Sequence, residues 1–137
     1  MPQGPPDLAS TSLRFAHLET RRRYPAPTSE MGLARQGAPT DTPVWIHAWP
    51  EPGQTMDKLP EGLEGRDVIA GTAVATVGGT AELRTADERT ADEGAPTLPD
   101  SVVLDGVEYE IASSGPRRAG AAGVVTRQTF VAARVQR

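Results

Sequence analysis

The chain has 137 residues, 37% of them hydrophobic and 4% aromatic, with 14 glycines, 13 prolines and no cysteine. That allows one domain with a modest core, rich in turns, and excludes disulfides and thiolate metal sites. The net charge of −4 hides an uneven pattern: residues 50–115 hold fourteen acids against four bases, and residues 116–137 hold five arginines and no acid. A nucleic-acid reader would gather its bases into one stripe, so sequence-specific DNA binding is not expected. A reducing compartment or an assembled particle suits a cysteine-free chain.

The start, MPQGPPDLAS, lacks a basic stretch followed by an apolar one, so no signal peptide is expected. No apolar run approaches the roughly 20 residues that span a bilayer. Seven prolines fall within residues 1–43. Residues 1–41 are therefore expected to form an extended, Pro-rich N-terminal arm that orders on assembly. Only residues 13–24 look ordered within it, as one helical turn or a strand.

Residues 42–50, TPVWIHAWP, alternate strictly. Val44, Ile46 and Ala48 oppose Trp45, His47 and Trp49, the period of a sheet. The Gly/Pro-punctuated QTMDKLPEGLEG reads as loop. Residues 67–79 read as a strand with Gly71 as a bulge. Residues 102–111 carry the clearest signal. Asp105-Gly106 sits between β-formers, and that pair supplies the positive φ angles of a type I′ hairpin turn. SGPRRAGAAG, from Ser114 to Gly123, reads as a flexible loop, and residues 124–135 as a final strand. Four or five strands without a long helix predict an all-β class, a small β-barrel or sandwich over residues 42–137, with long loops and an acidic loop at 82–100.

The acidic stretch RTADERTADEG is one pentad written twice, from Arg84 to Gly94. A helix of about two turns would place Arg84 four residues before Glu88, the weaker order for an ion pair. A calcium loop would need an Asp-x-Asp-x-Asp-Gly frame, which is missing. A carboxylate pair for acid/base work would need apolar surroundings. A solvated loop is the expectation. His17 and His47 lack partners at metal-ligand spacing, so no zinc site is expected. Trp45, His47 and Trp49 share one strand face, read as an interface or half-buried face rather than a ligand-stacking patch. Ser113 and Ser114 lie outside a Gly-x-Ser-x-Gly elbow. No enzyme constellation emerges, and neither a cofactor nor a metal is expected.

One ordered series of pieces remains: the strand from Val44 to Trp49, the Leu-Pro-Glu-Gly segment from Leu59 to Gly62, the Glu-Leu-Arg-Thr-Ala-Asp stretch from Glu82 to Asp87, Pro99-Asp100, and the hairpin from Val102 to Ile111. In this series, over roughly residues 42–112, the chain resembles the head–tail joining proteins of tailed bacteriophages, the head-completion or stopper proteins of the phage neck. The doubled pentad and the Pro-rich start depart from the pattern. The resemblance implies a structural virion protein, not an enzyme. It would form a homo-oligomeric ring of six or twelve copies, with six favoured. Portal and adaptor proteins would sit above it and the tail terminator or tail tube below. Genome DNA would pass through the channel without sequence-specific contact, and no membrane would be involved. Its place would be the virion neck, and the host cytoplasm during assembly. Arg84, Asp87, Glu88, Arg89, Asp92 and Glu93 would then line the channel or a ring interface, since carboxylates repel phosphates. Trp45, His47 and Trp49 would form an interface face, and Arg117, Arg118, Arg134 and Arg137 would dock onto an acidic neighbour. Rival readings are an adaptor or tail terminator of the same neck, a β-sandwich ligand-binding module, and a small trimeric β enzyme of nucleotide metabolism.

Overall fold

The computed structural model describes residues 16–50 and 66–136. The first part of the expected arm, the Leu59–Gly62 segment and Arg137 lie outside these residues. The elements run in chain order as β1 (His17–Arg23), β2 (Thr28–Glu30), β3 (Leu33–Arg35), β4 (Thr40–Pro50), β5 (Val68–Val74), α1 (Ala86–Glu93), β6 (Ser101–Leu104), β7 (Val107–Ala119) and β8 (Val125–Arg134). Six strands close into a barrel in the order β1-β4-β5-β8-β7-β6, and β2 and β3 form a separate two-stranded sheet. Every pairing is antiparallel, including β6 with β1, which completes the closure. Closure leaves the barrel no free edge for another strand to join. The all-β expectation holds, and of barrel and sandwich the chain adopts the barrel.

Four expectations are corrected. The barrel begins at His17 rather than at residue 42, because β1 pairs along its length with β4 and closes on β6. The remaining piece of the expected arm folds into the β2–β3 hairpin. Its turn residues Met31 and Gly32 both have positive φ, so it is the same kind of turn that Asp-Gly announces, built on an unadvertised pair. The expected flexible loop after Ser113 is instead the second half of β7. It stays paired to β8 through Ala119, with register irregularities between Ile111 and Ser113 and between Ser114 and Arg117. Finally, the register of β5 runs unbroken through Gly71 on both sides, so there is no bulge.

β4 and the β6–β7 hairpin match their expectations. Val44 and Ile46 are buried and Ala48 packs beside them. Asp105 and Gly106 take φ of 51° and 81°, as a type I′ turn requires. The core gathers Val44, Ile46, Ile69, Ala73, Val102, Ile111, Phe130 and Ala132 from the strands. Ala81 and Leu83 join it from the crossover between β5 and α1. That crossover leaves the sheet at Val74 but stays tied to β8 through Ala75 N–H to Thr126 O and Ala81 N–H to Val125 O.

Gly71 is required for a reason the sequence does not display. A Cβ there would lie 2.8 Å from the His47 carbonyl oxygen and 2.8 Å from the Phe130 ring. Gly71→Ala is expected to cost about 1–3 kcal/mol through overpacking. Denaturant unfolding reads this directly, and an unchanged midpoint would mean that the ring gives way freely.

Candidate functional site

The doubled pentad is a helix, not a loop. Thr85 caps α1: its hydroxyl accepts from the Glu88 amide, while the Glu88 carboxylate accepts from the Thr85 amide, a reciprocal capping box. Gly94, with φ of 74°, ends the helix in the left-handed conformation. Asp87 and Glu88 fall in the first turn, where the helix dipole favours anions.

The helix is fastened to one end of the barrel by charge. Asp100 is fully buried. Its carboxylate accepts from Arg23 Nε at 2.8 Å, from Arg23 Nη2 at 2.7 Å and from the Arg84 amide at 2.9 Å. Arg89, 4% exposed, approaches the same carboxylate at 3.5 Å and donates to the Tyr24 carbonyl at 2.8 Å. Buried Arg21 donates to Thr42 Oγ1 and to the Glu82 carbonyl. Glu82 holds Arg84 at 2.9 Å. The Asp100 hydrogen bond raises the affinity of Arg23 for its proton, whereas burial and the charge of Arg23 lower that of Arg21.

A second fastening lies beside the first. Gln128 is fully buried, and its amide grips both backbone groups of Leu83: Oε1 accepts from Leu83 N–H at 2.9 Å, and Nε2 donates to Leu83 O at 2.7 Å. Ser114 and Arg117 donate to the same carbonyl. Both also reach Glu88, Ser114 at 2.6 Å and Arg117 at 2.9 Å. Partial burial works against ionising Glu88. The Ser114 hydroxyl, the Thr85 amide and Arg117 outweigh it and hold the Glu88 carboxyl down at about 2.

The residues singled out by sequence therefore divide. Arg84, Glu88 and Arg89 serve the fold by holding α1 in place. Asp87, Asp92 and Glu93 are exposed. Asp92 still pairs with Arg84, and Glu93 with Arg89. Arg117 is spent within the chain on Glu88 and Gln128, and Arg134 lies 3.7 Å from Asp67. Arg118 is exposed. Trp45, His47 and Trp49 lie on the outer face of β4, as their alternation with Val44, Ile46 and Ala48 predicts. The rings of His47 and Trp49 sit 5.3 Å apart, tilted by 56°, and Trp49 is 42% exposed.

Sequence reasoning missed Asp100 and Gln128 as organising residues. Nothing local marks either one, because their partners lie between 11 and 77 positions away. It also missed an open apolar groove of about 400 Å³ between the turn at Val77–Gly79 and Val124. Val77 is 94% exposed there. Among the described residues no group of three or more metal-ligating side chains comes together, and no helix is long and apolar enough to cross a membrane. The arrangement offers rigid presentation of charge on a closed barrel. No protein-family model matches the chain, and no curated protein matches it significantly.

Two outcomes are expected from the network. Asp100→Asn leaves two guanidiniums facing a neutral amide and should cost about 3–5 kcal/mol, as broken buried pairs do; urea unfolding measures it. The Glu88 carboxyl sits lower in the folded chain than its ordinary 4.5. The stability it confers is thus present above about pH 4.5 and is lost as pH falls toward about 2. Glu88→Gln should remove about 1 kcal/mol at pH 7, after allowance for solvent screening. It should also flatten the pH dependence of the unfolding midpoint across that acidic window. Parallel curves for the two proteins would show that Glu88 is not a fastening.

Proposed function

We propose that this chain is a structural connector of the tailed-phage neck, a ring-forming head-completion or stopper protein that joins the portal or adaptor to the tail and helps retain packaged DNA. The observation that carries the proposal is how the pieces of the sequence resemblance fall. The strand from Val44 to Trp49 is most of β4, the stretch from Glu82 to Asp87 leads into α1, Pro99-Asp100 anchors that helix, and Val102 to Ile111 is the β6–β7 hairpin. Separate stretches of sequence thus become neighbouring parts of one barrel.

Physical features support a role in assembly. The core is built of small and medium side chains, and Phe130 is its one large buried aromatic among the described residues. Identical neighbours would add burial to such a core. Leu18 and Trp49 remain exposed on the barrel wall, at 55% and 42%. Exposed acids on α1 and exposed arginines at Arg117 and Arg118 give the surface both signs of charge, which suits contacts with different neighbours. Under this reading the outer carboxylates of α1 face either the DNA channel or the next copy, and repel phosphate in the first case. Tail terminator and adaptor are the neighbouring roles of the same class.

The test is assembly. Phage heads lacking the protein should fail to join tails, and added purified chain should restore joined, infectious particles visible by electron microscopy. Heads that join tails equally well without it, or that ignore the added chain, would exclude the connector role.

A further inference from the structure

Two apolar features lie apart from the charged network that holds α1. The first is the β2–β3 hairpin. Among the described residues it pairs with no barrel strand, and every residue from Met31 to Thr40 is exposed. Its stem is fixed. Gln36 Nε2 donates to the Pro25 carbonyl at 2.8 Å, and Pro25, Pro27 and Pro39 restrict the backbone on either side. At its tip Met31 is 97% exposed and Leu33 is 69% exposed. A two-stranded hairpin is marginal in water by itself, and this one holds its apolar tip in water.

The second feature is the open groove of about 400 Å³ beside the Val77–Gly79 turn. Val74, Val77, Val124 and Thr126 form its walls, and no charged residue lines it. Gly78 and Gly79 leave one side bare of side chains. Six large apolar side chains are exposed among the described residues, and four of them, Met31, Leu33, Val77 and Val124, belong to the hairpin tip or to this groove.

Tip and groove suit each other. Both are free of charge at their centres, as the core of a protein interface is, and a methionine adapts its shape to an irregular apolar recess. They share one end of the barrel: β1 leaves at Arg23 and β4 enters at Thr40, where β5 runs out at Val74. Yet Met31 and Val77 are 97% and 94% exposed, so a hairpin does not fill the groove of its own copy. The fit is to another copy. A standard interface takes about 20–30 residues from each side, and the unbroken exposed run from Met31 to Thr40 supplies roughly a third to a half of one side. Two different patches of one chain that fit each other make a head-to-tail contact, the geometry that closes rings.

We propose that the tip of the β2–β3 hairpin, Met31 with Leu33, inserts into the Val77–Val124 groove of a neighbouring copy. This rests on the ring reading above and names the surfaces that hold its copies together. Each copy gives its hairpin to one neighbour and its groove to the other.

The absence of cysteine makes the test direct. Leu33→Cys and Val77→Cys are prepared as separate full chains. Both positions are exposed, and circular dichroism checks folding. Mixed at millimolar protein with a short bismaleimide, the two should cross-link about tenfold or more faster than either alone, because docking raises the local thiol concentration. Gln136→Cys, beyond β8 at the other end of the barrel, is the control and should show no such preference with either. Sedimentation velocity gives a second reading: Leu33→Asp and Val77→Asp should each weaken self-association about tenfold or more, as loss of a central apolar anchor does. Cross-linking with no preference for the Leu33–Val77 pair, or association indifferent to either aspartate, overturns the inference while leaving the ring reading standing. An unaltered chain that stays monomeric throughout overturns it too, and the ring reading is then judged by the head-joining assay alone. A Val77→Asp chain that self-associates normally but no longer restores tail joining places a different neck protein in the groove, which also overturns the inference.

Discussion

One buried carboxylate organises this molecule. Asp100 is removed entirely from water and answered by Arg23 from the first strand, by Arg89 from the helix and by the Arg84 amide from the crossover. A buried charge is tolerated only when its partners surround it closely, so the position of each partner is dictated by the others. The backbone of Asp100 adds to this, accepting from Ile111 N–H and donating to Arg84 O. One residue thereby ties the closing strand pair, the helix and the crossover to the same point. The doubled pentad forms a helix in this chain because its second arginine has somewhere buried to go.

That constraint separates structural charge from displayed charge. Helices of eight residues are marginal on their own. Here the capping box, the Gly94 terminus and two buried fastenings act together, so the acids left on the outside occupy fixed positions. Glu88 shows the division within a single pentad. Its neighbour Asp87 faces solvent, while Glu88 turns inward to Ser114 and Arg117. On the connector reading, this rigidity is what lets a chain with a small core present a defined charged surface to its neighbours.

Local signals account for the parts that were legible. β4 alternates without a break, and the barrel wall uses that alternation directly, Val44 and Ile46 inward, Trp45 and Trp49 outward. Asp105-Gly106 demands positive φ, and the hairpin forms around it. The α1 helix carries local signals too, Thr85 with Glu88 three positions on and Gly94 at the end, but they sit within a run of acids that a solvated loop would hold equally well. The second half of β7 was hidden for a different reason. Gly115, Pro116 and Gly120 look like loop residues, yet a strand with register irregularities accommodates them. At Gly115 a side chain would collide with Thr129, so the glycine there permits close strand packing rather than flexibility.

The sequence by itself determined the all-β class, the wall of β4 and the Asp-Gly hairpin, because each follows from backbone preferences and periodicity within a few residues. Only the tertiary structure decided that the sheet closes into a barrel from His17, that Asp100 and Gln128 are its internal fastenings, and which pentad acids face outward. Those outcomes depend on partners up to 77 positions apart in the chain, as with Arg23 and Asp100. Pairings of buried charge over such separations leave no local trace, because the energy that selects them exists only once water has been excluded from both groups.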